Sequence, residues 1–279
     1  MYYKTMFNLT LGILIRILSN SYLNVFQKFL TNKNEHPSII NFYTYLGLTV
    51  LGFIFCPLPT FSQEIITSLL IMGFLGALGN YFIIKALSCG ELSSLAPINS
   101  YKPIVAMIFG IFLLKEIPGS QELIGILLIL FGTLILTKNK FIYNKATLYR
   151  FLALIFSGTE AIFIKKVILL TNVQTSFFYW AFASFIFTAF FALISKHSIK
   201  IKKENVKLQL ALILLITLMQ YSTNYVFSKI NVAYALALFQ LSTILSVFLG
   251  VNIFKEKNLL QKIIASSIMI MGAIILILS

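Results

Sequence analysis

Apolar residues in this chain come in runs of about twenty, without the polar face that a water-soluble helix or strand would keep. The runs fall at residues 7–28, 38–56, 65–87, 93–114, 120–137, 148–169, 174–194, 208–228, 232–254 and 258–278. Each can cross a hydrocarbon layer of about 30 Å as a helix. Lipid offers no hydrogen-bond partner to an open sheet edge, and the period-2 strands of a barrel are absent, so the runs predict helices. The expected fold is an all-α membrane protein with ten transmembrane helices. Short connectors, Lys115-Glu116-Ile117-Pro118-Gly119 and Lys255-Glu256-Lys257-Asn258, fold the fourth and fifth runs, and the ninth and tenth, into antiparallel hairpins. The first run lacks a basic leader and a small-residue cleavage site and is read as a retained helix.

The chain also repeats itself. Ser19-Asn20-Ser21-Tyr22 with Lys28 aligns with Ser157-Gly158-Thr159-Glu160 and Lys166, and Phe42-Tyr43 with Phe178-Tyr179. Asn80-Tyr81 followed by Lys85 aligns with Asn224-Tyr225 followed by Lys229. Gly110 with Lys115-Glu116 aligns with Gly250 and Lys255-Glu256, and Gly132 with Gly272. The offsets are 138, 136, 144, 140 and 140, a drift no larger than a loop. Residues 1–140 and 141–279 therefore read as two five-helix units. Five is odd, so the second unit enters the membrane from the other side, and the pair is expected to form two inverted repeats. All six prolines lie in the first unit, so the halves are not equivalent.

Composition narrows the picture. Of 279 residues 59% are hydrophobic and only 11% charged, with a mean hydropathy of +0.92. Soluble domains run near 45–50% and about 25%. The net charge of +14 does not indicate nucleic acid, because the Lys and Arg residues cluster in short connectors and form no docking face. They read as topology signals. The heavier connectors follow the odd-numbered helices, so the positive-inside rule sets both termini outside. Cys56 and Cys89 have no ligand spacing, all eight acids are glutamates, and the histidines are His36 and His197 alone. That excludes metal centres and aspartyl chemistry. No P-loop occurs, so no nucleotide or other cofactor is expected, and the energy for any transport comes from a gradient or from exchange.

The run Ala96-Pro97 through Pro103, Gly110, Leu113-Leu114-Lys115-Glu116, Gly125 and Gly132 resembles the EamA-type unit of the drug/metabolite transporter superfamily, over essentially the whole chain. The resemblance implies a ten-helix transporter of amino acids or other metabolites, with the unit present twice. Its members are usually drawn with both termini in the cytoplasm, against the charge count, and orientation stays open between the two.

Ionisable groups deep in a span are costly unless they face a cavity or a partner. Arg16, Lys102 and Glu160 lie near mid-span. Glu160 fits either a ligand for a solute amine or proton, or an ion pair locking helices together. Lys102 precedes Pro103, which opens the local carbonyl ladder; it fits a solute anion or a side chain bending to the interface. Arg16 fits a carboxylate clamp or the same bending. Asn20, Tyr22, Tyr43, Asn80, Tyr101, Tyr179, Trp180, Gln220, Asn224 and Gln240 lie at comparable depth and complete the candidate set, with Tyr45 and Tyr81 at the same depth. The glycines of the third run, Gly73, Gly76 and Gly79, suit close helix packing. The expected protein is a monomeric, multi-pass secondary transporter of the cell (inner) membrane, not an enzyme, whose only partners are a small solute and the bilayer. The expected solute is an amino acid or related amine-bearing zwitterion, moved by alternating access between the repeats. The rivals are a proton-coupled exporter of organic cations or drugs and a lipid-modifying enzyme.

Overall fold

The computed structural model describes residues 2–56, 63–95, 98, 101–117, 119–137, 144–194, 200–254, 264, 267–272 and 275. Among these, regular structure is helical throughout. The helices are α1 (Tyr2–Asn32), α2 (Pro37–Phe55), α3 (Gln63–Cys89), α4 (Leu92–Leu95), α5 (Lys102–Leu114), α6 (Ser120–Thr137), α7 (Lys145–Leu170), α8 (Val173–Ile194), α9 (Val206–Phe227), α10 (Val232–Phe239) and α11 (Leu241–Phe254), with a 3-10 turn at Lys203–Asn205. The fourth apolar run contributes α4 and α5, the latter starting after Tyr101, and the ninth steps at Gln240 between α10 and α11. Ala96-Pro97, Pro118, Lys255-Glu256 and most of the tenth run lie outside the described residues.

Among the described residues six stretches are long and apolar enough to cross a membrane: Asn8–Asn32, Pro37–Phe55, Gln63–Cys89, Val173–Ile194, Lys203–Phe227 and Val232–Gly250. α5 and α6 contribute shorter apolar helices. α7 has the length, since its 26 residues rise about 39 Å at 1.5 Å each. It is less apolar because it carries Arg150, Glu160 and Lys165, and all three are buried.

Polarity is arranged from the inside out. Leu11, Leu14 and Leu18 of α1, Phe53 and Ile54 of α2, and Leu210, Leu214 and Leu218 of α9 are exposed. Arg16, Asn24 and Gln27, on the same α1, are buried. A helix whose leucines face outward and whose amides face inward is stable in hydrocarbon.

The helices pair across the two halves of the chain: α1 along α9, α3 along α7, α2 along α8, α1 on α11 and α5 on α7. Close approach depends on small residues. A Cβ at Gly73 would stand 2.6 Å from the backbone carbonyl carbon of Ala183, so any larger residue would push α3 off α8. Buried amides join the same helices: Asn41 Nδ2 donates to Ala77 O at 2.9 Å, and Gln209 Nε2 to Thr44 Oγ1 at 2.9 Å.

Helix ends leave carbonyls and N–H groups without partners. Asn144 accepts from Thr147 N at 2.9 Å to start α7, and Asn231 from Ala233 N at 2.9 Å to start α10. Two lysines close C-terminal ends. Lys28 Nζ donates to Leu87 O at 2.6 Å and Gly90 O at 2.7 Å, at the end of α3. Lys165 Nζ donates to Phe227 O and to Ile230 O, 3.1 Å away, at the end of α9. Lys165, rather than the adjacent Lys166, thus makes the contact that resembles that of Lys28. Lys166 turns outward to an exposed ion pair with Glu64 at 3.3 Å. Glu116 completes the second arrangement: its Oε1 lies 3.6 Å from Lys165 Nζ, and its Oε2 accepts from Val232 N at 2.9 Å.

Candidate functional site

A cavity of about 90 Å³ lies within the bundle, lined by residues of α1, α2, α3, α5, α7, α8, α9 and α10. α7 supplies one wall. Arg150, Ser157, Glu160, Ala161 and Ile164 line the cavity, at spacings of 7, 10, 11 and 14 residues from the first, which keeps them on one face. α1 supplies another through Arg16, Asn20, Leu23 and Asn24, which lie 4, 7 and 8 residues on from the first and so share one face.

Glu160 is the carboxylate of the lining. Trp180 Nε1 donates to its Oε1 at 2.5 Å, and the Trp180 ring meets Tyr45 edge-on, centroids 5.1 Å apart. Tyr45 Oη donates to Gly76 O at 3.2 Å. A Cβ at Gly76 would collide with Glu160 Oε1, so the absence of a side chain there makes room for the carboxylate. Lys102 opens α5 immediately before Pro103, so the interruption expected beside it lies on its N-terminal side. It lines the cavity within electrostatic range of Glu160, Arg16 and Arg150, without an ion pair inside 4.0 Å among the described residues. Arg16 stands over the face of Phe239, its guanidinium carbon 4.9 Å from the ring centroid. Arg16 and Arg150 are 8% and 4% exposed, and among the described residues Nε and Nη1 of each have no hydrogen-bond partner.

Of the candidate residues, Arg16, Asn20, Asn80, Lys102, Glu160, Trp180 and Gln220 line the cavity. Asn20 Nδ2 also donates to Ser242 Oγ at 2.9 Å, and Asn80 Nδ2 to Asn41 Oδ1 at 2.6 Å. The other candidates fall elsewhere. Tyr22 is exposed on the outer side of α1, two residues beyond Asn20 and so about 200° around the helix. Tyr43 is half-buried against Phe42, while Tyr45, two positions on, reaches the cavity. Tyr179 is fully buried beside Phe178 and is not part of the lining. Tyr101 is half-buried at the start of α5. Asn224 is buried next to Gln220 rather than in the lining, and Gln240 bonds back to Leu236 O at 2.8 Å where α10 gives way to α11.

Arg150 is absent from the candidates drawn from sequence. Its position at the end of the basic connector from Lys138 to Arg150 makes it read as a topology signal. The spacing to Ser157, Glu160 and Ile164 is the signal that would find it. Asn24 and Thr223 line the cavity too, one turn from Asn20 and close after Gln220.

No curated protein matches the chain. A solved crystal structure, described only as that of a protein, superimposes with a TM-score of 0.76 at 16% identity, covering 96% of both chains. It shares the fold. The EamA-like transporter family matches at residues 9–138 and again at 144–278, nearly the whole chain. An apolar exterior, a polar interior and a double match leave one assignment: the chain is a multi-pass membrane protein and belongs to the EamA-like transporter family of the drug/metabolite transporter superfamily.

Proposed function

We propose that this protein is a secondary transporter that moves a small, carboxylate-bearing metabolite through the central cavity by alternating access, acting as a monomer in the cell membrane. One observation carries the reading: charged side chains from separate helices converge on a cavity inside a bundle with an apolar exterior. Such groups are tolerated in a membrane where they serve a solute or ion path. The rival exporter of drugs fits less well, since pockets for drug-sized ligands run to about 300–1,000 Å³ and this one holds about 90 Å³. Amino acids and related amine-bearing zwitterions remain the reference class, the carboxylate meeting Arg16 or Lys102 and the amine Glu160.

Ten spans arranged as two inverted five-helix units, 1–140 and 141–279, are part of the proposal. Exchanging α1 with α7, α2 with α8 and α3 with α9 converts the α1–α9 contact into α7–α3 and leaves α2–α8 in place. The division of the fourth run into α4 and α5 and the step between α10 and α11 correspond under the same exchange. Discontinuous helices beside a central site are a recurring feature of alternating-access transporters.

Reconstituted vesicles test the function. Purified protein is expected to catalyse saturable counterflow of at least one member of a labelled panel of amino acids and carboxylates. Glu160→Gln should lower the initial rate at least tenfold while the protein stays folded and inserted. Full counterflow by Glu160→Gln would remove Glu160 from the site, and absence of counterflow across the whole panel would overturn the substrate assignment.

A further inference from the structure

We propose that the solute carries two acidic groups, and that Arg16 and Arg150 bind a small dicarboxylate in the cavity. The inference rests on reading this cavity as the transport site and goes beyond it to the charge of what is carried. Three cationic side chains, Arg16, Lys102 and Arg150, face the cavity against one carboxylate, Glu160. Glu160 and Lys102 line the same cavity, so one positive charge there is offset by the carboxylate. Two guanidinium groups are left over.

Among the described residues neither guanidinium has a full set of partners. Nε and Nη1 of Arg16 and of Arg150 make no hydrogen bond, and both residues are more than nine-tenths buried. Phe239 offers Arg16 the face of a ring, which attracts a cation but accepts no hydrogen bond in the guanidinium plane. A buried charge without a partner is costly, and one member of a buried pair stripped of the other is the costlier state. The fold tolerates two such groups in one cavity, and a ligand with complementary charge relieves both. The guanidinium fork matches a carboxylate with two parallel N–H···O bonds, a geometry a lysine ammonium does not provide.

Charge balance selects among solutes. A neutral zwitterion leaves both surplus charges uncompensated, and a cation adds to them. A dicarboxylate neutralises them, and an amino dicarboxylate neutralises one while its ammonium meets Glu160. A cavity of about 90 Å³ limits the solute to a short carbon chain. A phosphate monoester offers the same double charge on one group and is separated by the test.

The test is ligand-induced thermal stabilisation of the purified full-length protein, since a ligand that binds the folded state raises its melting temperature by mass action. Succinate, aspartate, alanine, glycerol phosphate and sodium chloride serve as probes at matched ionic strength. Succinate is expected to stabilise saturably, aspartate less, and alanine and chloride not at all. Arg16→Gln and Arg150→Gln, each folded in the absence of ligand, should each weaken succinate binding at least tenfold. Stabilisation by alanine equal to that by succinate would overturn the inference while leaving the cavity as a transport site. Response to glycerol phosphate alone, or to chloride alone, would overturn the dicarboxylate assignment. Undiminished succinate binding in both arginine variants would overturn the role of the arginines, and no stabilisation by any probe would overturn the inference outright. The counterflow panel is scored independently, so failure of the transport reading is distinguishable from failure of the dianion.

Discussion

Glu160 is restrained from two directions, by the indole N–H of Trp180 and by the space that Gly76 leaves open. Trp180→Phe keeps the ring against Tyr45 and removes only the donor. The buried carboxylate oxygen would then lack that hydrogen bond, a loss of roughly 1–3 kcal/mol. A lowered melting temperature without ligand checks this, and an unchanged one would mean that the bond contributes nothing net. At this scale the sequence is legible where a residue type is incongruous: a charge in the middle of an apolar run identifies Arg16, Lys102 and Glu160. It is much less legible for the tyrosines. Depth is readable there but direction is not read from depth alone, so Tyr22 and Tyr43 are not told from their inward-facing neighbours Asn20 and Tyr45. Arg150 fails for the opposite reason. One and a half turns into α7, it is near enough to the charged connector to pass for an interfacial anchor.

Among the elements, helix ends carry the most specific information. Lys28 at the end of α3 and Lys165 at the end of α9 place an ammonium where carbonyls have no further turn to bond, and where the helix dipole is negative. Lys165 also holds Glu116, which in turn accepts from the first N–H of α10. The Leu113-Leu114-Lys115-Glu116 stretch thereby ties the end of α5 to α7 and to α10. Lys165→Met would leave Glu116 and the end of α9 short of a donor, with an expected loss of about 3–5 kcal/mol, as for a broken buried pair. Lys166→Met removes an ion pair whose members are 38% and 60% exposed and should cost no more than about 0.5 kcal/mol. Equal losses in the two variants, read from detergent-solubilised unfolding, would undo this distinction. Sequence alignment alone selects Lys166, because adjacent lysines differ by 100° around a helix and identity at an offset does not say which one points inward. The helices themselves are easily legible, since hydrocarbon thickness dictates a long apolar run. The division of the fourth run into α4 and α5 is signalled by the prolines and polar residues around Lys102, whereas the step at Gln240 has no proline to mark it.

At the scale of the whole molecule, an apolar exterior encloses a small polar chamber made by helices from both halves of the chain. That arrangement is foreseeable from the double resemblance and the buried charges; the chamber's charge is not, because it depends on the direction of Arg150. The central claim is that this chamber is a water-accessible path for solute rather than a sealed polar core, and cysteine accessibility tests it most directly. With Cys56 and Cys89 replaced by alanine, a single cysteine is introduced at Ser157, which lines the chamber, and in a separate control at Leu14, which faces outward on α1. A small charged methanethiosulfonate reagent applied to reconstituted vesicles is expected to modify Ser157→Cys and abolish counterflow, while Leu14→Cys, facing lipid, stays unmodified and active. If Ser157→Cys resists the reagent from both sides of the membrane while the protein transports at full rate, the path lies elsewhere and the chamber is a sealed core.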